Sequence, residues 1–187
     1  VPLNTLLRPA DYEFLLNDSR ARLLLVHREL WEPLGEIRER CRLLRHVVVI
    51  GERADGCLAY DDLMRQAGDT CEPADTSRDD VAFWLYSSGS TGFPKGTIHL
   101  QHDMLCCARG MGQGVLGLVE KDLTFSAAKL FFAYGLGNNL YFPFNVGASA
   151  VLYPGRPLPD AIFEVIRQCR PTVFYAGPTL YGTMLHL

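Results

Sequence analysis

Between residues 81 and 96 the chain reads Val81-Ala82-Phe83-Trp84-Leu85-Tyr86-Ser87-Ser88-Gly89-Ser90-Thr91-Gly92-Phe93-Pro94-Lys95-Gly96. An apolar run gives way to glycines, hydroxyls and one lysine crowded together, and that composition suits the holding of phosphate. Glycines let the backbone turn sharply and bring N–H groups close to an anion. The hydroxyls of Ser87, Ser88, Ser90 and Thr91 add short donors, and Lys95 supplies a mobile positive charge. A Walker A loop needs Gly-Lys followed by Ser or Thr, whereas Lys95 here follows Pro94 and precedes Gly96, so that motif is absent. A plain Ser/Gly-rich surface turn is the competing reading. It does not account for a hydrophobic strand leading in and Pro-Lys-Gly leading out.

Other chemistry-bearing residues are sparse. The histidines are His27, His46, His99, His102 and His186, and the cysteines are Cys41, Cys57, Cys71, Cys106, Cys107 and Cys169. Neither set has zinc-ligand spacing, and there is no C-x-x-C pair. The thiols read as core or surface cysteines of a reducing cytoplasm, and no chemistry is assigned to them. His99 and His102 follow the glycine-rich stretch closely and are candidates to border a pocket there. Phe131, Phe132 and Tyr134 form an aromatic cluster that, on residue types alone, reads first as core.

The elements that must position these residues follow from periodicity. Short runs rich in Val, Leu, Phe or Tyr predict strands at Arg22–Val26, His46–Ile50, Val81–Tyr86, Asp122–Ala127, Ala148–Tyr153 and Thr172–Tyr175. Pro33 is placed at a helical first turn, with Leu34, Ile37, Cys41 and Leu44 falling on one face. Pro159 and Asp160 open a helix with Ile162, Val165, Ile166 and Cys169 on its apolar side, which Pro171 stops. Further helices are expected at Asp11–Asn17, Tyr60–Ala67, Gln101–Gly117 and Thr179–His186. Strands alternating with helices predict an α/β fold with mostly parallel sheets and flanking helices. The polar stretch Asp69–Asp80 reads as a connector, which predicts a first α/β lobe over 1–75 and a second over 76–187 carrying the glycine-rich loop.

Bulk properties exclude several classes. With 187 residues, a net charge of −3 and 21% charged residues, the chain can bury a substantial core and lacks the basic excess of nucleic-acid binders. No apolar run is long enough for a membrane span. Val1 is not preceded by methionine, and the last helical pattern runs uncapped into Leu187. Both suggest a piece of a longer protein.

Tyr86-Ser87-Ser88-Gly89-Ser90-Thr91-Gly92-Phe93-Pro94-Lys95-Gly96 is similar at nearly every position to the phosphate-loop signature of the adenylate-forming superfamily, which includes acyl-CoA synthetases, luciferases and adenylation domains. Three further segments follow in order: Ala127–Asn138, Tyr153–Pro157 and Thr172–Thr179. Together with Thr97–Met104 they resemble benzoate–CoA ligases and their hydroxybenzoate relatives, along essentially the whole chain. The resemblance implies part of the large N-terminal domain of such an enzyme, with the C-terminal domain absent. It implies ATP, Mg²⁺, CoA and an aryl carboxylate as cofactors and substrates, while the charge and apolar pattern above lead to no expectation of a nucleic-acid or membrane partner.

By the same resemblance Ser87, Ser88, Gly89, Ser90, Thr91, Gly92 and Lys95 would bind ATP phosphates. Thr91 would lie nearest magnesium, and Thr91 and Lys95 would act in catalysis. Ala133, Tyr134 and Gly135 would contact the aryl acid, while Phe131 keeps its reading as core. The acidic magnesium motif, the ribose-binding aspartate and the C-terminal lysine of the family are not found in these 187 residues. The expected activity of this piece alone is therefore little or none. A non-catalytic nucleotide-binding remnant and an adenylation domain that loads a carrier protein are the alternatives.

Overall fold

Short runs of aliphatic and aromatic residues form most of the strands. The computed structural model describes residues 1–87 and 93–186. The chain divides into two compact units: residues 4–75 with 88–96, and residues 1–3, 76–87 and 97–187.

The first unit is built on a three-stranded parallel sheet, β1 (Leu23–His27), β2 (His46–Ile50) and β3 (Leu58–Ala59), in the order β1-β2-β3. Leu23 pairs with His46 and Val48 with Leu58. The central strand carries Val47, Val48 and Val49, all buried, as expected of a strand covered on both faces. Helices α1 (Pro9–Asp18), α2 (Arg28–Gly35) and α3 (Tyr60–Gln66) flank it. Proline opens α1, and the reciprocal contacts of Arg8 and Asp11 cap it.

One helix expectation needs correction. Pro33 lies inside α2, which starts at Arg28, and a separate 3₁₀ turn at Arg38–Arg40 follows. Leu34, Ile37 and Cys41 are nevertheless all buried. The apolar spacing located these three core residues, whereas Leu44, expected on the same face, is only half-buried, and the backbone between them is not one helix.

The second unit holds a three-stranded parallel sheet of β6 (Leu123–Ser126), β7 (Ser149–Val151) and β8 (Val173–Tyr175), ordered β7-β6-β8. Phe125 pairs with Val151 on one side and Phe174 on the other. Against this sheet α7 (Pro159–Cys169) lays Ile162, fully buried, with Val165 and Ile166 beside it; α8 (Pro178–Met184) adds Leu180 and Met184. Cys169, expected on the same stripe, is exposed instead. It sits in the last turn, next to Arg170, whose left-handed backbone ends the helix at φ 50°.

Before the sheet, α4 (Asp103–Cys107) continues into a π-helical segment at Ala108–Val115, where a single helix was expected. Between β6 and β7, α5 (Ala133–Leu136), a π-helical segment at Gly137–Tyr141 and α6 (Phe142–Asn145) run in succession. A further two-stranded sheet consists of β4 (Val81–Ser87) and β5 (Lys95–Leu100). Among the described residues no helix is long and apolar enough to cross a membrane.

Candidate functional site

The glycine-rich stretch joins β4 to β5. Ser87 is the last residue of β4 and Lys95 the first of β5, both exposed. Ser88, Gly89, Ser90, Thr91 and Gly92 lie outside the described residues. Phe93, at the exit of the stretch, meets the Phe14 ring of α1 at 5.1 Å between centroids.

The end of β5 is held by side chains with polar work of their own. His99 stacks on Phe83 at 4.7 Å with the rings 9° from parallel, and its Nδ1 lies 3.6 Å from Asp103 Oδ2. Asp103 Oδ2 also accepts the Leu100 N–H at 2.9 Å. His102 Nδ1 is 2.8 Å from the Arg78 carbonyl oxygen, which can only accept, so that nitrogen carries the proton. These contacts describe two histidines that staple β5 and α4 in place. They give neither a nucleophile–base pair.

Ala133, Tyr134 and Gly135 are brought together in α5. The residues before them, Phe131 and Phe132, contact each other with tilted rings at 4.6 Å. Tyr134 is 52% exposed, so its ring is available on the surface of the described structure. Its edge meets the ring of Tyr175 at 6.5 Å and 86°. Gly135 is buried, and here only glycine fits. A Cβ at this position would lie 2.2 Å from the Lys129 carbonyl oxygen and 2.4 Å from that of Ala128. Small Ala133, exposed Tyr134 and a glycine packed backbone-to-backbone together make a surface with an aromatic wall. Such a surface suits a flat apolar ring.

Sequence reasoning missed three polar side chains around this segment. Tyr175, at the end of β8, is buried, and its hydroxyl has no hydrogen-bond partner among the described residues. Burial, followed by the nearby Tyr134 and Asp122, pushes its phenol up to about 12. Asn138 is buried as well, with its side-chain amide nitrogen unpartnered. Lys129 is half-buried and donates to the carbonyls of Tyr153 and Gly155. Burial lowers its pKa. Tyr175 and Lys129 lie in segments that the sequence marked as resembling the family, but no local pattern separates them from ordinary core and surface residues.

No group of three or more His, Cys, Asp or Glu able to hold a metal ion occurs among the described residues. The described structure therefore offers no cage of protein ligands for magnesium. The six cysteines form no disulfide.

The profile of the AMP-binding enzyme family matches residues 1–187. The benzoate–CoA ligase of Thauera aromatica is 48% identical over 185 residues, spanning 99% of this chain and 35% of the relative. The 4-hydroxybenzoate–CoA/benzoate–CoA ligase of Rhodopseudomonas palustris is 41% identical over 99% of this chain and 34% of its own length. Among solved structures, the anthranilate CoA ligase AuaEII in complex with anthranoyl-AMP superposes with a TM-score of 0.96 at 45% identity, covering 100% of this chain and 36% of that one. The benzoate CoA ligase from Burkholderia xenovorans gives 0.84 at 41% identity, covering 98% and 35%. The chain thus spans about a third of the length of the relatives it matches. A match running from the first residue to the last, with the phosphate-loop signature inside it, places this chain in the AMP-binding enzyme family.

Proposed function

We propose that the protein carrying this chain is an ATP-dependent aryl acid–CoA ligase of the benzoate type. The observation that carries this reading is the uninterrupted 48% identity to a benzoate–CoA ligase across 99% of the chain. The aromatic surface at Ala133–Gly135 supports it, because a benzoate-like ring needs a flat apolar wall.

The chemistry divides into two steps. A carboxylate oxygen attacks the α-phosphorus of ATP. The new O–P bond forms as the bond to the β-phosphate breaks, giving an acyl-adenylate and pyrophosphate. The CoA thiol then attacks the adenylate carbonyl, a C–S bond replaces the C–O bond, AMP leaves, and the thiol proton passes to solvent. The first step requires no protein base, since the acid is already ionised at neutral pH. It requires in-line positioning and neutralisation of phosphate charge.

In this reading Ser87, Ser88, Gly89, Ser90 and Gly92 cradle the phosphates, and Lys95 meets the charge that develops on the leaving pyrophosphate. Thr91 would be the residue of this chain that holds magnesium. Bound magnesium would supply charge neutralisation at the phosphates during the first step. Ala133, Tyr134 and Gly135 seat the aryl ring. A reducing cytoplasm suits the six free thiols, and breakdown of aromatic acids is the metabolic setting that fits the substrate class. The 187 residues by themselves are expected to form no detectable aryl-CoA, since they span about a third of the ligases they match.

The test is aryl-acid-dependent ATP–pyrophosphate exchange by the full-length gene product. Benzoate and its amino and hydroxy derivatives should drive exchange. Lys95→Ala should slow turnover by about 10²-fold, the scale of losing one charge-stabilising group. Tyr134→Ala should raise the apparent KM for the acid with little change in that for ATP. Exchange driven by no aromatic acid would remove the benzoate reading and leave an AMP-binding enzyme for another acid.

A further inference from the structure

The segment proposed to seat the acid starts from a turn, and the turn is tied at one end by a cation with no counter-ion among the described residues. Lys129 Nζ donates to the Tyr153 and Gly155 carbonyls and lies 5.0 Å from the centre of the Tyr153 ring. None of the ion pairs among the described residues involves Lys129. An ammonium in that position is costly unless its donors are met, and here two carbonyls and an aromatic face meet them.

Both ends of this contact are built tightly. The Tyr153 ring folds over Gly155 so closely that a Cβ on Gly155 would lie 2.4 Å from the Tyr153 hydroxyl. That curl turns two carbonyl oxygens toward one point, where a single ammonium reaches both. On the other side the Lys129 carbonyl oxygen accepts the Phe132 N–H at 3.0 Å, and the Phe132 carbonyl oxygen accepts the Leu136 N–H at 2.8 Å. Gly135 packs against the Lys129 and Ala128 carbonyls with no room for a side chain. The Lys129 side chain therefore grips the segment after β7, while its backbone forms the step from which α5 rises.

We propose that Lys129 is a positioning residue for the acid-seating segment, holding the 129–132 turn, and through it Ala133–Gly135, against the Tyr153–Gly155 curl. It touches neither acid nor nucleotide in this account. Its effect on catalysis rests on the aryl-acid reading given above; its effect on the turn does not.

Lys129→Met keeps the apolar stem and removes the donors and the charge, and Lys129→Arg keeps both. Two readouts on the full-length protein separate the possibilities. In hydrogen–deuterium exchange, the Phe132 and Leu136 amides should exchange at least about tenfold faster in Lys129→Met, an opening of about 1.4 kcal/mol. Lys129→Arg should stay within about threefold of the parent. In pyrophosphate exchange, Lys129→Met should raise the apparent KM for the aryl acid about tenfold and leave that for ATP within about twofold, and Lys129→Arg should recover most of the loss. Unchanged amide protection in Lys129→Met overturns the proposal. So does a KM for ATP that rises in step with that for the acid, which would mean general damage. If the parent protein shows no aryl-acid-driven exchange, the ligase reading fails while the amide readout alone still decides the role of Lys129.

Discussion

Tyr175 buries a hydroxyl that no described residue hydrogen-bonds. An unmatched buried hydroxyl carries a desolvation cost of about 1–3 kcal/mol. Tyr175→Phe should therefore leave stability at neutral pH unchanged or raise it by about 1 kcal/mol, measured as a shift in urea midpoint. The phenol also gives a pH signature. Its ordinary value is 10 and burial raises it to about 12. The neutral form is thus favoured in the folded chain. The stabilisation is fully present below pH 10 and is lost as pH rises toward 12. Urea melts between pH 8 and about 11.5 should show that alkaline loss in the parent and a smaller one in Tyr175→Phe. Equal losses in both would assign it to other groups. Gly135 tests the opposite extreme of packing. A Cβ 2.2 Å from a backbone carbonyl oxygen cannot be relieved by a side-chain rotation. Gly135→Ala should destabilise by about 3 kcal/mol or more, or yield insoluble protein, and a melting point within a degree of the parent would contradict the packing described.

At the scale of elements, the helical run between β6 and β7 is fastened to the sheet by one asparagine. Asn139 Nδ2 donates to the Val151 carbonyl at 3.1 Å and lies 3.5 Å from that of Ser126, while its Oδ1 is 3.4 Å from Thr124 Oγ1. These contacts are buried or half-buried, so Asn139→Leu removes a donor from carbonyls on both β6 and β7. The expected loss is about 1–3 kcal/mol in chemical denaturation. Helix α7 is held by apolar contact. Ile162 is fully buried against Phe125 and Ala176. Ile162→Ala should cost about 2–5 kcal/mol, whereas Cys169→Ala at the exposed end of the same helix should cost under about 0.5 kcal/mol. Comparable losses at both positions would mean that α7 packs along its whole expected stripe.

Across the whole molecule, two carboxylates tie local structure to pH, one in each compact unit. Asp11 is held below its ordinary value of 3.8 by hydrogen bonds from the Arg8 side chain and backbone. Asp122 is held low by the Val119 N–H and the Thr172 hydroxyl at 2.9 and 2.8 Å. Lowered values mean that both contributions are present above about pH 4 and disappear as the pH falls through the folded values. Thermal midpoints should be flat from about pH 7 to 5 and decline below about 4. Asp122→Asn should shrink that decline without abolishing it, because Asp11 remains. A decline that starts above pH 6 would contradict this carboxylate account.

Several features needed no tertiary information. The strand at His46–Ile50 was legible to the residue, because a run of three valines has one good use. Helix α7 opened at Pro159 as expected, since proline lacks an N–H where a first turn has no need of one. The parallel α/β class followed from the alternation of such elements, and the family from residues adjacent along the chain. What escaped were elements and contacts without a local signature. Strand β3 is two residues long, and β5, Lys-Gly-Thr-Ile-His-Leu, opens on lysine and glycine and carries only two large apolar residues; both pair with a neighbouring strand that offers hydrogen bonds. The π-helical turns depend on packing at Ala108–Val115 and Gly137–Tyr141. The grip of Lys129 on Tyr153 and Gly155, the reach of Asn139 to Val151, and the edge of Tyr134 on Tyr175 join residues 12 to 41 positions apart. Local propensity and covalent neighbours set what a stretch of chain can become. Which polar groups meet, and which are buried unmet, is decided only when distant segments share one core.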